Sequence, residues 1–327
     1  MQPEKTIEST ALTEGIAELL AAFNLAMIDN DLAELTRLRY TNAVRVFCLW
    51  YKTTNQEPFT PNRLTPIDLT SYRSAIQQSK SASTVNVAVA ALRAFSAFLQ
   101  EAGHRSDNPA RKLKSVGRQQ KLAPKSLSPN EVNALLRASQ HARQQSALKY
   151  AVVQLLLQTG IREAECSALN IRDVQISERQ GQLTVRAGKG NDSRIVPINA
   201  SARSALAAYL GPRWGVEPTV KAVAAVWDGH RDEPLFVNQR RKRLGPSGIW
   251  WMITGLVAAT KPPIPQDTTP HTLRHTFGYH YLADHPGDLV GLAALLGHSS
   301  IEITRIYVEH TAEELARRVE RGRINAY

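Results

Sequence analysis

Five residues of this chain could do chemistry together: Arg162, His271, Arg274, His298 and Tyr307. Arg162 stands in Thr159-Gly160-Ile161-Arg162-Glu163-Ala164-Glu165, and His271 and Arg274 in His271-Thr272-Leu273-Arg274-His275. His298 follows Leu296-Gly297, and Tyr307 comes nine residues after it in Thr304-Arg305-Ile306-Tyr307-Val308. A phosphodiester attacked by an oxygen nucleophile builds negative charge on its non-bridging oxygens, which metal ions or rigid cationic donors must meet. An arginine fork donates two parallel hydrogen bonds and stays charged, so Arg162 and Arg274 suit a clamp on one phosphate. His271 lies three residues before Arg274, on the same face of a helix, and can assist proton removal or hydrogen-bond the phosphate. Tyr307 is the candidate nucleophile; a free phenol, with a pKa of ~10, is protonated at neutral pH and needs such cationic neighbours. Its attack leaves a covalent phosphotyrosine and expels a hydroxyl, so the bond energy is kept. The chain accordingly has no Gly-x-x-x-x-Gly-Lys-[Ser/Thr] nucleotide loop. Lys189, in Ala187-Gly-Lys-Gly-Asn-Asp-Ser193, is the candidate acid for the leaving oxygen.

The elements that must position these residues can be read from periodicity. A chain of 327 residues is long enough for two domains, each with its own core. Apolar residues at helical spacing (Ile16, Leu19, Leu20, Phe23 and Met27, then Leu35, Leu38, Val44, Phe47 and Trp50) predict two helices. A third starts at Thr65-Pro66 and a fourth at Ser83 or Thr84, carrying Val85, Ala88, Leu92, Phe95 and Leu99. This makes a four-helix domain over 13–104. Residues 105–127 have the composition of an interdomain linker, with Asn108-Pro109, Gly117, Pro124 and many cations. Ser128-Pro129-Asn130-Glu131 is a helix-capping sequence that opens a second domain, 128–327. There an apolar helix over Tyr150–Gln158 ends at Gly160, and Leu183–Arg186 and Arg194–Ile198 flank a hairpin with Lys189 at its tip. Beyond the short run Pro234–Asn238 the chain reads as helical to its end.

Composition points to a polyanionic partner: 40 Lys plus Arg stand against 29 acids, a net charge of +11. The cations cluster between Arg105 and Lys125, including Arg111, Lys112 and Lys114, and again at Arg240-Arg241-Lys242-Arg243. Either cluster could equally be a solvated surface. Cys48 and Cys166 lie far apart in apolar segments, which favours buried free thiols over a disulfide. No signal peptide opens the sequence and no apolar run approaches the ~20 residues of a membrane span, so a cytoplasmic protein with no membrane partner is expected.

Each of these residues has an ordinary structural reading when taken alone. An arginine after a helix usually caps or faces solvent, and a tyrosine between Ile and Val usually packs. His271 and His275, four apart, could suggest a zinc pair, but the metalloprotease helix requires Glu where Thr272 stands, and no cysteine is near. No metal and no cofactor are expected, and His275, His280, His285 and His310 are read as structural or surface residues. The joint pattern is another matter, since six suitable residues in matching contexts are improbable by chance.

On these motifs the chain resembles the tyrosine recombinases, the phage-integrase and Xer-like family, over nearly its whole length. The resemblance implies a mainly α fold with a small β-sheet: an N-terminal SAM-like core-binding domain and a C-terminal mixed α/β catalytic domain. It implies site-specific cleavage and rejoining of duplex DNA through a 3′-phosphotyrosine. Arg162, Arg274 and His298 would contact the scissile phosphate, Lys189 would protonate the 5′ oxygen, His271 would aid proton transfer, Tyr307 would attack, and Glu165 would buttress the site. It also implies a protein monomeric in solution that assembles as a homotetramer on paired DNA sites. In that arrangement the segment after Tyr307, with Ala312, Leu315, Ala316 and Val319, docks on a neighbouring copy. A type IB topoisomerase-like enzyme and a non-catalytic DNA-binding protein are the alternatives.

Overall fold

The computed structural model describes residues 14–117, 125–186, 193–298 and 300–307, and divides into two compact units, 1–121 and 122–327. Lys189, His310 and the segment after it therefore lie outside the described residues.

The first unit is built on four helices: α1 (Glu14–Asp29), α2 (Glu34–Asn55), α3 (Pro66–Gln77) and α4 (Ala82–Glu101). Thr65 caps α3 in a reciprocal box with Asp68, as Thr-Pro predicts, whereas α4 begins earlier than expected because Ser81 accepts from the Thr84 amide. The apolar faces meet around Phe23, Phe47, Leu69, Leu92, Phe95 and Leu99. Edge-on pairs such as Phe23–Phe95 and Phe47–Tyr72, both 5.2 Å between centroids, fill the middle. Contrary to the sequence reading, α4 is by length and composition apolar enough to cross a membrane. Its Val85, Val89, Leu92, Phe95 and Leu99 side is instead the wall against which the other helices pack.

Residues 105–117, whose composition suggests a linker, are fastened to this unit. Ala110 and Leu113 are buried in its core. Arg93 and Arg73 donate to the carbonyls of Leu113 and Lys114, and the Asn86 amide bonds both the N–H and the C=O of Val116. Arg111, Lys112 and Lys114 remain exposed on this pinned segment.

The second unit contains α5 (Pro129–Gln140), α6 (Ser146–Thr159), α7 (Glu163–Ala168), α8 (Ala200–Trp214), α9 (Val220–Ala225), α10 (Pro246–Ala259), α11 (Pro270–Asp284), α12 (Leu289–Leu296) and α13 (Ile301–Thr304). Ser128 and Glu131 form the expected capping box at α5. Helix α6 is buried on nearly every side, through Leu148, Val152, Val153, Leu155 and Leu156, and packs against α5, α8 and α11. An antiparallel sheet, β1 (Val174–Ile176), β2 (Gly181–Arg186) and β3 (Ser193–Pro197), covers one flank in the order β1-β2-β3. The first of these strands is too short to show a period in the sequence. Cys48 and Cys166 are free and buried, one in each unit, and burial raises both thiol pKa values.

Candidate active site

The site grows from the end of α6. Gly160 closes this helix in the left-handed conformation (φ +62°), and a Cβ on it would collide with Phe277 and Leu296, so only glycine serves there. Its carbonyl accepts from Arg274 Nη1 at 2.7 Å, while Leu296 O accepts from Nη2 at 2.8 Å. Arg274, on α11, is 2% exposed, and among the described residues no carboxylate stands within ion-pair distance of it. Burial, with the neighbouring Arg162 charge, lowers its pKa to about 10, so it remains a cation at neutral pH.

Arg162 precedes α7, and the Glu165 carboxylate ties it down: Oε2 accepts from the Arg162 amide and Oε1 from Nη1, both at 2.8 Å. The same carboxylate takes a two-pronged bond from Arg194 on β3, at 3.0 and 2.8 Å, and Arg194 Nε reaches Leu295 O at 2.9 Å. Burial would push the Glu165 carboxyl up, but the hydrogen bonds and charges of Arg194 and Arg162 hold it below its ordinary value. Through Arg194, Glu165 thus links α7 to the sheet and the end of α12. Arg194, which carries half of that joint, is invisible in the sequence because its partner lies 29 residues away.

His298 follows the left-handed Gly297 that ends α12, and its Nδ1 lies 2.8 Å from the hydroxyl of buried Thr304. Burial, then the charges of Arg274, Arg162 and Arg194, pull its pKa to about 4, so the ring is neutral at physiological pH. A neutral imidazole beside three arginines is poised to donate to an anion that those arginines attract.

Tyr307 ends a short 3₁₀ turn (Arg305–Tyr307) after α13 and is 6% exposed. Its ring lies on Gly278 of α11, where a Cβ would stand 2.6 Å from Cε1, and meets Tyr279 edge-on at 5.4 Å. Burial raises the phenol pKa to about 12; Tyr279 adds to this and Arg274 and Arg162 oppose it. The hydroxyl lies 2.8 Å from His275 Nδ1, and the His271 ring stands edge-on to His275 at 4.3 Å. His275, read from sequence as structural, therefore touches the candidate nucleophile. The sole hint was the second histidine of His-Thr-Leu-Arg-His. His280 and His285 do bond backbone carbonyls, of Leu127 and Tyr281.

The structure thus brings Arg162, Glu165, His271, Arg274, His298 and Tyr307 into one neighbourhood of the second unit, while Lys189 lies outside the described residues. The basic run 240–243 divides. Arg240, Arg241 and Lys242 are exposed on a turn held by Asn238 Oδ1, which accepts from the amides of Arg240 and Lys242. Arg243 is exposed too, and its guanidinium donates to Ser167 O, Leu169 O and Asn170 Oδ1, satisfying carbonyls at the end of α7.

Both units of the chain resemble known proteins. Residues 125–314 match the Phage integrase family, and residues 22–103 match the phage integrase N-terminal SAM-like domain. The chain belongs to the phage integrase family and is a tyrosine recombinase, an enzyme of site-specific DNA recombination. Among its relatives, tyrosine recombinase XerD of Oceanobacillus iheyensis is 28% identical over 90% of this chain and 93% of its own length. Tyrosine recombinase XerC of Syntrophus aciditrophicus is 33% identical over 71% of each chain. The fold is shared with the Tn1549 transposon integrase in complex with circular intermediate DNA (TM-score 0.67, 22% identity, 96% of this chain and 100% of that one). It is shared too with XerH bound to palindromic difH substrate (TM-score 0.69, 16% identity, 95% and 98%).

Proposed function

We propose that Tyr307 attacks the scissile phosphodiester of a duplex DNA site and forms a 3′-phosphotyrosine, with Arg162, Arg274 and His298 donating to the phosphate. The observation that carries this reading is Arg274, a buried guanidinium held in place by two carbonyls and lacking a carboxylate partner among the described residues. Such a charge is costly to bury, and a phosphate offsets that cost best where the charge on the transition state is greatest. Arg162, fastened by Glu165, completes the clamp. His271 aids proton transfer, and Lys189 protonates the 5′ oxygen as it leaves. The covalent bond stores the energy of the broken one, and a second DNA hydroxyl recovers it on rejoining.

In this reading Arg240, Arg241 and Lys242, together with Arg111, Lys112 and Lys114, neutralise DNA phosphates without choosing sequence. The protein is a monomer in solution and a homotetramer on paired sites, where the segment after Tyr307 docks on a neighbouring copy. It works in the cytoplasm without cofactor or metal. The test is a suicide DNA site incubated in excess EDTA: wild type accumulates a covalent adduct, and Tyr307→Phe binds the site within a few-fold but forms none. An adduct with the Phe variant would place the nucleophile elsewhere.

A further inference from the structure

We infer that His275 is a catalytic residue of this enzyme: its Nδ1 takes the phenolic proton of Tyr307 during cleavage and returns it during rejoining. The inference rests on Tyr307 being the nucleophile. Its ground is the 2.8 Å contact between Tyr307 Oη and His275 Nδ1. A buried hydroxyl proton requires an acceptor, and Nδ1 accepts when the ring carries its proton on Nε2. The placement of the phenol is determined from three sides. Gly278 leaves room for the ring on the face of α11, Tyr279 meets it edge-on, and His275, one turn earlier on the helix, receives the hydroxyl. Burial and Tyr279 hold the phenol protonated, so attack on phosphorus has to be accompanied by transfer of that proton. The group already in contact with the oxygen makes this transfer without rearrangement.

The step balances. A lone pair on Tyr307 Oη forms the O–P bond as the P–O5′ bond breaks. The phenolic proton passes to His275 Nδ1, giving an imidazolium, and the departing 5′ oxygen takes its proton from the acid on the other side of the phosphate, Lys189 in the reading above. His271, edge-on at 4.3 Å, lies beside the new imidazolium. On rejoining, a 5′-hydroxyl attacks, the Tyr307 oxygen leaves, and His275 gives the proton back.

The experiment compares His275→Asn and His275→Ala with wild type in single-turnover adduct formation on a suicide DNA site. Site affinity and the melting curve of each protein are measured alongside, so that a variant that fails to fold is recognised. The Asn amide oxygen sits where Nδ1 was and can hold the hydroxyl, but it cannot become protonated. If His275 accepts the proton, both variants bind DNA normally and form adduct slower by about 10²-fold, within the range for general-base catalysis. If Asn reacts at the wild-type rate while Ala is slow, His275 only positions the phenol and the inference is overturned. Equal rates in all three proteins overturn it as well.

A second arm uses a site with sulfur in place of the bridging 5′ oxygen, whose thiolate leaves without a proton. Lys189→Ala should then regain rate, and His275→Asn should keep its deficit. Recovery of the Asn variant on this substrate would put His275 on the leaving-group side and sink the assignment. Failure of wild type to form any adduct would strike at Tyr307 itself, whereas an unaffected Asn variant strikes only at His275.

Discussion

Replacing Gly278 by Ala should disable cleavage while leaving the protein folded and able to bind DNA. The added Cβ would meet Tyr307 at 2.6 Å from Cε1, 2.8 Å from Cζ and 3.0 Å from Cδ1. Carbon atoms prefer separations of about 3.5 Å or more, so the ring must retreat by about 1 Å. The hydroxyl moves with it and abandons its 2.8 Å contact with His275 Nδ1. A misplacement of this size costs on the order of 10²-fold in rate. Stability should change little: overpacking costs about 1–3 kcal/mol, and Ala in place of Gly inside a helix returns about 1 kcal/mol. The assay pairs single-turnover adduct formation with a DNA band-shift titration and a thermal melt. A Gly278→Ala protein with wild-type adduct rate would refute the reasoning, because it would mean that the ring position seen here is not the one from which Tyr307 reacts.

Glu165→Gln removes the charge shared by Arg162 and Arg194 and turns an acceptor into a donor facing donors; breaking such a partly buried pair costs about 3–5 kcal/mol. With ~2–4 °C per kcal/mol for a unit of this size, the second unit should melt roughly 6–20 °C lower, as calorimetry would register. Because the Glu165 pKa lies below its unfolded value, its contribution is complete above that value and is lost as pH falls through the folded one. In wild type the melting temperature should therefore drop below about pH 4.3, and less steeply in the Gln variant. His298 acts at higher pH: neutral in the fold down to about 4, it adds stability that is complete above its unfolded pKa of about 6.5 and fades as pH falls toward 4. Thermal melts across that window, with and without His298→Gln, should differ in slope. Changing Arg111, Lys112 and Lys114 together to Gln should weaken binding to all duplexes and reduce the log–log salt slope by about two to three units; an unchanged slope in titrations at several salt concentrations would remove this segment from the DNA.

The parts of this protein legible from its sequence are those governed by near neighbours. Thr65-Pro66 and Ser128-Pro129-Asn130-Glu131 announce helix starts because a cap is satisfied within three residues. Gly160 announces a helix end because its backbone must turn left-handed there. The residues proposed to react could be singled out because phosphoryl transfer restricts the usable side chains, and they stand in motifs that resemble those of the family. Segment 105–117 reads as a linker because its polar composition resembles one, although burial of Ala110 and Leu113 and hydrogen bonds to Arg93 and Asn86 bind it to the helices.

What only the tertiary structure decided is how those side chains are held and which protons they carry. Nothing in the order of residues says that Arg274 is pinned by carbonyls 114 and 22 residues away, or that Arg194 rather than solvent completes the shell of Glu165. Nor does it say that the guanidinium of Arg243, itself exposed, is tied to the carbonyls of Ser167 and Leu169. His275 is the sharpest case. Its spacing on α11 was visible, but its role depends on a 3₁₀ turn 32 residues later that brings Tyr307 back onto the same helix. Burial and long-range charge set the protonation of Tyr307, His298 and Glu165, and both are properties of the folded surroundings that a linear pattern does not contain.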